Sequence, residues 1–215
     1  MHKDMKTFKA QYIPQVETLS DEQLRQTLSS VEPQAIDCVN WPAEFPYAPS
    51  VTFKLGYSDK ALAILFEVTE DHVRGAAMEN NGPVWEDSCV EFFIMTADGE
   101  HYINIEMNCI GTVLAARRTC RHDAKHFDAE KMSAIRHFTS LPHEAIDSRA
   151  EGQSWWGAEV ITFETLGFSE RPERLRANLY KCGDKCDKVH FLSWSPIGLP
   201  NPDFHCPQFF GVIEL

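Results

Sequence analysis

Trp85-Glu86-Asp87-Ser88-Cys89-Val90-Glu91-Phe92-Phe93-Ile94 separates into two sets of alternate residues. Ser88, Val90, Phe92 and Ile94 form a mostly apolar set. Trp85, Asp87, Cys89 and Glu91 bring an aromatic ring and two carboxylates. Tyr102-Ile103-Asn104-Ile105-Glu106-Met107-Asn108-Cys109 behaves in the same way. Ile103, Ile105, Met107 and Cys109 fall on one side, Tyr102, Asn104, Glu106 and Asn108 on the other. A period of two puts successive side chains on opposite faces of a strand, so both stretches predict strands with one buried face. The other face is unusual for a solvated one, which carries mostly Lys, Thr, Ser and mixed charge. Its rings, carboxylates and amides suggest a cleft.

Asp98-Gly99 between these two strands is a hairpin turn signal. With these two included, strands are expected at 51–55, 61–68, 88–95, 101–108, 110–116, 157–163, 174–180, 190–194 and 209–214. Residues 1–19 read as an extended lead-in. Ser20-Asp21-Glu22-Gln23 is a capping box that opens a short helix ending near Ser29. Residues 36–50, with Trp41-Pro42, Pro46 and Pro49, read as irregular. Residues 117–150 mix Arg117, Arg118, Arg121, Lys125, Lys131 and Arg136 with histidines and predict a helical or irregular excursion between strands. Short strands with few, peripheral helices indicate an all-β fold, an antiparallel β-sandwich of jelly-roll type. We divide the chain into an extension with a short helix, 1–34, and a single sandwich domain, 35–215.

The 215 residues are 43% hydrophobic, enough for a sizeable core, and no run of 18 apolar residues occurs. A formal net charge of −12 argues against nucleic acid, whose phosphates call for a basic stripe. No membrane partner is expected. Met1-His2-Lys3-Asp4-Met5-Lys6 lacks the apolar core of a secretory signal, which predicts a cytoplasmic location. Seven cysteines without a dense framework predict mostly reduced thiols.

Trp85-x-Asp87-Ser88-x-Val90-Glu91-x-Phe93 resembles a segment of carbohydrate-binding module family 9. Tyr102 to Asn108 with Gly111 resembles the family's next strand. Glu159-Val160-Ile161-Thr162-Phe163, Arg176-Ala177-Asn178-Leu179-Tyr180, Trp194-Ser195-Pro196 and Phe210-Gly211-x-Ile213-x-Leu215 resemble later family segments in the same order. The resemblance covers roughly residues 35–215. It implies an antiparallel β-sandwich that binds a mono- or oligosaccharide without catalysis. It implies that Trp85 and Trp194 sandwich a terminal sugar ring while Glu91 and other polar groups take its hydroxyls. Asn178 lies near a family amide position. The chain departs from the family at Glu106, where an arginine often stands; Arg117, Arg118 or Arg176 could supply that cation. No cofactor is expected, although relatives often carry structural calcium.

The residue chemistry agrees with a sugar ligand. Aromatic rings cover the C–H face of a pyranose, and carboxylates and amides hold its hydroxyls. The carbohydrate-binding candidates are Trp85, Asp87, Glu91, Tyr102, Asn104, Glu106, Asn108, Arg176, Asn178 and Trp194. Glu91 and Glu106, on adjacent strands, also permit a glycoside hydrolase or related sugar-active enzyme. Cys182-x-x-x-Cys186 with His190, His205 and Cys206 offers zinc-type residues, though its Gly-Asp centre reads as a turn carrying a disulfide or two plain thiols. His122 and His126 share a helical spacing, read as a solvated face. A haem-binding sandwich using Met and His is a further alternative. Trp155-Trp156 either extends a sugar platform or packs the excursion onto the sandwich, and Trp41 plugs the sandwich end.

Overall fold

A computed structural model describes residues 5–147 and 153–215. Strands of three or more residues are numbered: β1 (Thr7–Lys9), β2 (Ser50–Tyr57), β3 (Ala61–Glu70), β4 (Cys89–Met95), β5 (Tyr102–Asn108), β6 (Val113–Arg118), β7 (Ile135–Thr139), β8 (Gln153–Thr162), β9 (Arg174–Cys182), β10 (Phe191–Ser193) and β11 (Gly211–Glu214). The helices are α1 (Asp21–Ser29) and α2 (Ala129–Ser133). The larger sheet runs β1-β11-β9-β4-β5-β6, with β10 on β9 and Lys125–His126 beyond β6. The smaller runs β7-β8-β3-β2, extended by Gln11–Tyr12. Pairing is antiparallel except where β1 joins β11 and Gln11–Tyr12 joins β2. The two sheets make an antiparallel β-sandwich. No helix among the described residues is long and apolar enough to cross a membrane.

The alternation seen in the sequence determines which side chains meet. Val90, Phe92 and Ile94 of β4 face Ile103, Ile105 and Met107 of β5 within the core between the sheets. Leu62, Ile64, Phe66 and Val68 of β3 come from the smaller sheet. The smaller sheet is covered on its other side by α1, whose Leu24 and Leu28 pack on Ala61, Ala63, Leu65, Ala158 and Val160. Ser20 and Gln23 form the expected capping box. Asp98 stabilises the β4–β5 turn by accepting hydrogen bonds from Thr96, Glu100 and His101, with Gly99 in the left-handed region at φ 71°.

Two expectations change. The lead-in is extended, but it is woven into both sheets rather than set apart. The 117–150 excursion carries α2 and the edge strand β7, whose residues 135–139 pair with β8. Its mixed charge hid a strand because an edge strand needs only one apolar face. Residues 148–150 lie outside the described residues.

Lys181 ends the inner face of β9 and is wholly buried. Its ammonium is 3.0 Å from Glu70 Oε2 and donates to His190 Nε2 (2.7 Å) and the Cys182 carbonyl (2.9 Å). Burial works against the charge, but Glu70 together with Cys186 and Cys182 outweighs it, and Lys181 titrates above its ordinary value. Burial, then Lys181, pushes His190 well down, so the ring stays neutral. Trp155 Nε1 completes the cluster by donating to Glu70 Oε1 at 2.7 Å. The cluster joins the two sheets, because Glu70 belongs to β3 and Lys181 to β9.

Glu159 lacks such partners altogether. It shares the inner face of β8 with Trp155 and Ile161, is fully buried, and neither carboxyl oxygen has a hydrogen-bond partner. Burial pushes its pKa up to about 8. A carboxyl raised above its unfolded value gives stability that is present below about pH 4.5 and is lost as pH rises through the folded value. Glu159→Gln is therefore expected to match the native chain near pH 4.5. It should exceed it by on the order of 3–5 kcal/mol near pH 9, measured by urea unfolding at both pH values.

Candidate functional site

The outer face of β4, β5 and β9 is not open to water. The segment around 197–210 folds over it, with Ile197, Phe204, Cys206 and Phe210 packing on Phe93, Tyr102 and Tyr180. A cleft of about 330 Å³ remains where this cover ends. Trp85, Phe191 and Phe204 line it with rings, and Glu91, Glu106 and Arg118 lie among its polar groups.

Trp85 sits in a short 3-10 turn, Val84–Glu86, anchored by the buried Val84 and 38% exposed itself. The turn is held by the chain after β9: the Asp184 and Lys185 amides donate to the Trp85 and Glu86 carbonyls. Phe204 stacks on Tyr180 at 4.2 Å and 9°. Phe191 meets Phe204 edge-on at 6.1 Å. These aromatics were not singled out from the sequence. Phe204 falls outside any strand, and Phe191 has an ordinary position at the start of one.

Glu91 and Glu106 stand directly opposite each other on β4 and β5, each 3% exposed. Glu91 Oε1 accepts from the Cys182 thiol at 2.9 Å. Glu106 Oε1 accepts from the Asn104 amide at 2.8 Å, and Glu106 Oε2 has no partner. Asn104 Oδ1 in turn accepts from Arg118 Nε at 2.9 Å. Burial, then the facing Glu106, raises Glu91 well above the usual carboxylate range; burial pushes Glu106 up to about 7. Near neutral pH the pair therefore retains a proton and can donate as well as accept. Arg118 is the member of the proposed cation trio that reaches the cleft. Arg117 pairs with Asp98 on the surface, and Arg176 donates to the Pro207 carbonyl.

The ten candidates thus fall into separate groups. Trp85, Glu91 and Glu106 line the cleft, and Asn104 braces Glu106 from behind. Tyr102 sits one layer back, with Oη 2.8 Å from His205 Nδ1, and His205 lines the cleft. Asp87 and Asn108 form a scaffold instead. Asp87 Oδ2 accepts from the Ala76 and Ala77 amides and from Asn108 Nδ2, while Arg74 pairs with Oδ1. Asn178 is occupied by both backbone groups of Ser195.

Trp194 requires the largest correction. It is 1% exposed in the core between the sheets, edge-on to Phe8 at 5.3 Å and to Phe53 at 6.0 Å. Its ring covers Gly211 so closely that a Cβ there would lie 2.5 Å from Trp194 Cζ3. It cannot share a ligand with Trp85, because sheet β4-β5-β9 separates the core from the cleft. Trp155 is likewise core. Trp156 faces α1, with the Arg25 guanidinium 4.8 Å above it. Trp41 packs under the covering segment, its Nε1 donating to the Leu199 carbonyl at 2.8 Å.

No disulfide forms among the seven cysteines. Cys186 lies beside Ser88 rather than facing Cys182, so the Cys-x3-Cys pair does not assemble a zinc site with His190 or Cys206. Calcium takes about six to eight oxygens. Among the described residues no three carboxylates converge on one point, so a calcium shell here would have to draw mainly on carbonyl oxygens.

A sandwich with an aromatic and carboxyl-lined cleft on one covered face defines a small-ligand-binding module. The chain matches the model of carbohydrate-binding family 9 over residues 20–215 and belongs to that family. No curated protein sequence matches it. A candidate carbohydrate-binding protein from Bacteroides uniformis ATCC 8492, solved by crystallography, is 33% identical, with a TM-score of 0.92 over 98% of this chain and 99% of that one. A family 9 module from Caldicellulosiruptor kristjanssonii has been solved with glucose and with cellotriose. It is 15% identical in both, with TM-scores of 0.61 and 0.62 over 98% of this chain and 95% and 93% of that one. At that identity the likeness establishes the fold.

The two tryptophans should separate in stability. Trp194→Ala is expected to cost about 3–5 kcal/mol as a core truncation. Trp85→Ala should stay within about 0.5 kcal/mol of the native chain. Thermal and urea unfolding of both variants check this placement.

Proposed function

We propose that the cleft binds a mono- or oligosaccharide without chemistry. The observation that carries this reading is the exposed Trp85 ring beside two buried carboxyls, one of which has an oxygen with no partner in the protein. A sugar brings what each lacks. Its C–H face covers an aromatic ring, and its hydroxyls donate to and accept from a carboxyl pair that keeps a proton. Phe191 and Phe204 supply the remaining apolar wall in place of Trp194. Arg118, fixed by Asn104, adds donors of the charge-assisted kind. Family membership and the glucose and cellotriose complexes of the family 9 module support the same ligand class.

Calorimetric titration with glucose and with cellotriose, backed by a glycan panel, tests the reading. Trp85→Ala and Glu106→Gln should each weaken the best ligand by about tenfold or more, the equivalent of about 1.4 kcal/mol. Binding unchanged in both variants would remove the cleft as the sugar site. The facing of Glu91 and Glu106 also keeps a hydrolase reading testable. Cellotriose recovered intact after prolonged incubation is the expected result; products that vanish in Glu106→Gln would make the pair catalytic.

A further inference from the structure

The floor of the cleft holds a second constellation that sugar recognition does not require. Cys89 of β4 and Cys182 of β9 are direct partners across the strand pair. Their sulfurs and a Glu91 carboxyl oxygen all lie within 4.8 Å of one another, and all three residues are buried. Glu106 faces Glu91 from β5, and its Oε2, in a side chain 3% exposed, has no hydrogen-bond partner. A buried acceptor left unpaired is destabilising, and a cation at this point would relieve it.

We propose that Cys89, Cys182 and Glu91, with Glu106 as fourth donor, form a binding site for zinc or another thiophilic divalent ion. Four ligands at about 2.0–2.3 Å from a tetrahedral zinc lie about 3.3–3.8 Å from one another. The Cys182 sulfur is 2.9 Å from Glu91 Oε1 and the three donors lie within 4.8 Å of one another, a spread that brackets that spacing, with Glu106 on the neighbouring strand directly opposite Glu91. Three rigid, hydrogen-bonded strands supply the donors, which limits the reorganisation that binding requires. Two sulfurs select against calcium and magnesium, which take oxygen shells. Glu91, Glu106 and Cys182 line the cleft, so the ion enters from solvent, with Cys89 behind them. As each sulfur–metal bond forms, the thiol proton passes to solvent. Asn104 and Arg118 orient Glu106 from behind, as outer partners orient metal ligands elsewhere.

The site goes beyond the sugar reading and shares its two carboxyls, so ion and sugar should compete. The test uses the full chain, stripped of metal and kept reduced with a non-chelating phosphine, titrated with cobalt(II) and then zinc(II). One equivalent of cobalt should produce a thiolate-to-cobalt charge-transfer band and the visible bands of a tetrahedral ion, both abolished by one equivalent of zinc. Cys89→Ser and Cys182→Ser should each lose the band. Each should weaken zinc by more than about 100-fold, since losing even an outer partner of a ligand costs about 10–100-fold. Cys186→Ser and Cys206→Ser should keep both. Circular dichroism identifies any variant that fails to fold, and Glu106→Gln, which adds no new shape, then serves as the second probe, with weaker zinc binding expected. Absence of the band in the native chain overturns the proposal. So does a band that survives in folded Cys89→Ser and Cys182→Ser. Sugar titration of the same metal-free sample keeps the two readings apart: sugar binding without cobalt binding sinks the metal site alone, and the reverse sinks the sugar site alone.

Discussion

Strands β4 and β5, and β9 from Ala177 onward, are buried on both faces, yet their outer faces carry Glu91, Asn104, Glu106, Asn108 and Asn178. Polar groups withdrawn from water need partners inside the protein. Most have them: Asp87 with Asn108, Asn104 with Arg118, Asn178 with the Ser195 backbone. These pairs tie the loops around 74–77, 118–121 and 195 to the sheet. What the loops leave uncovered is the cleft, and what the pairs leave unsatisfied is Glu106 Oε2. The site is thus the remainder of a largely satisfied polar face, and its unspent acceptor is what gives a ligand something to gain.

The Lys181 cluster holds the end of β9 that carries half of this chemistry. Lys181 points inward to Glu70 and His190, while the next residue, Cys182, points outward to Glu91. A buried ion pair is weak evidence of net stability, because desolvation offsets attraction. Its geometric effect is more secure: all three ammonium donors are directed, so the strand end has little freedom to shift. Register there decides whether Cys89 and Cys182 stand opposite, since a slip of one residue would exchange the faces. A buried, partner-rich lysine on one side of the strand thereby positions the thiols on the other.

Much of the fold was legible locally. Period-two alternation identified β4 and β5, and the Ser20–Gln23 box and the Asp98-Gly99 turn formed where their hydrogen-bonding chemistry predicted. The site was legible in part. Trp85, Glu91 and Glu106 share one face by parity alone. The reading failed where parity says nothing about cover. Trp194 belongs to a strand-end segment whose face is set by Ser195 bonding to Asn178, and Asp87 was claimed by two loop amides. Phe204 and His205 reach the cleft through the irregular 197–210 segment, which no periodicity could place, and Phe191 reaches it from the start of β10.

The sequence by itself determined the strands, their two-faced character and the polar residues on the second face, because side-chain direction along a strand follows from backbone geometry. Only the tertiary structure decided which of those residues are spent on scaffold and which remain for a ligand. That division depends on where distant loops lay their amides, carbonyls and rings. Such contacts join residues as far apart as Cys182 and Glu91, or Tyr180 and Phe204, through packing that no local pattern encodes.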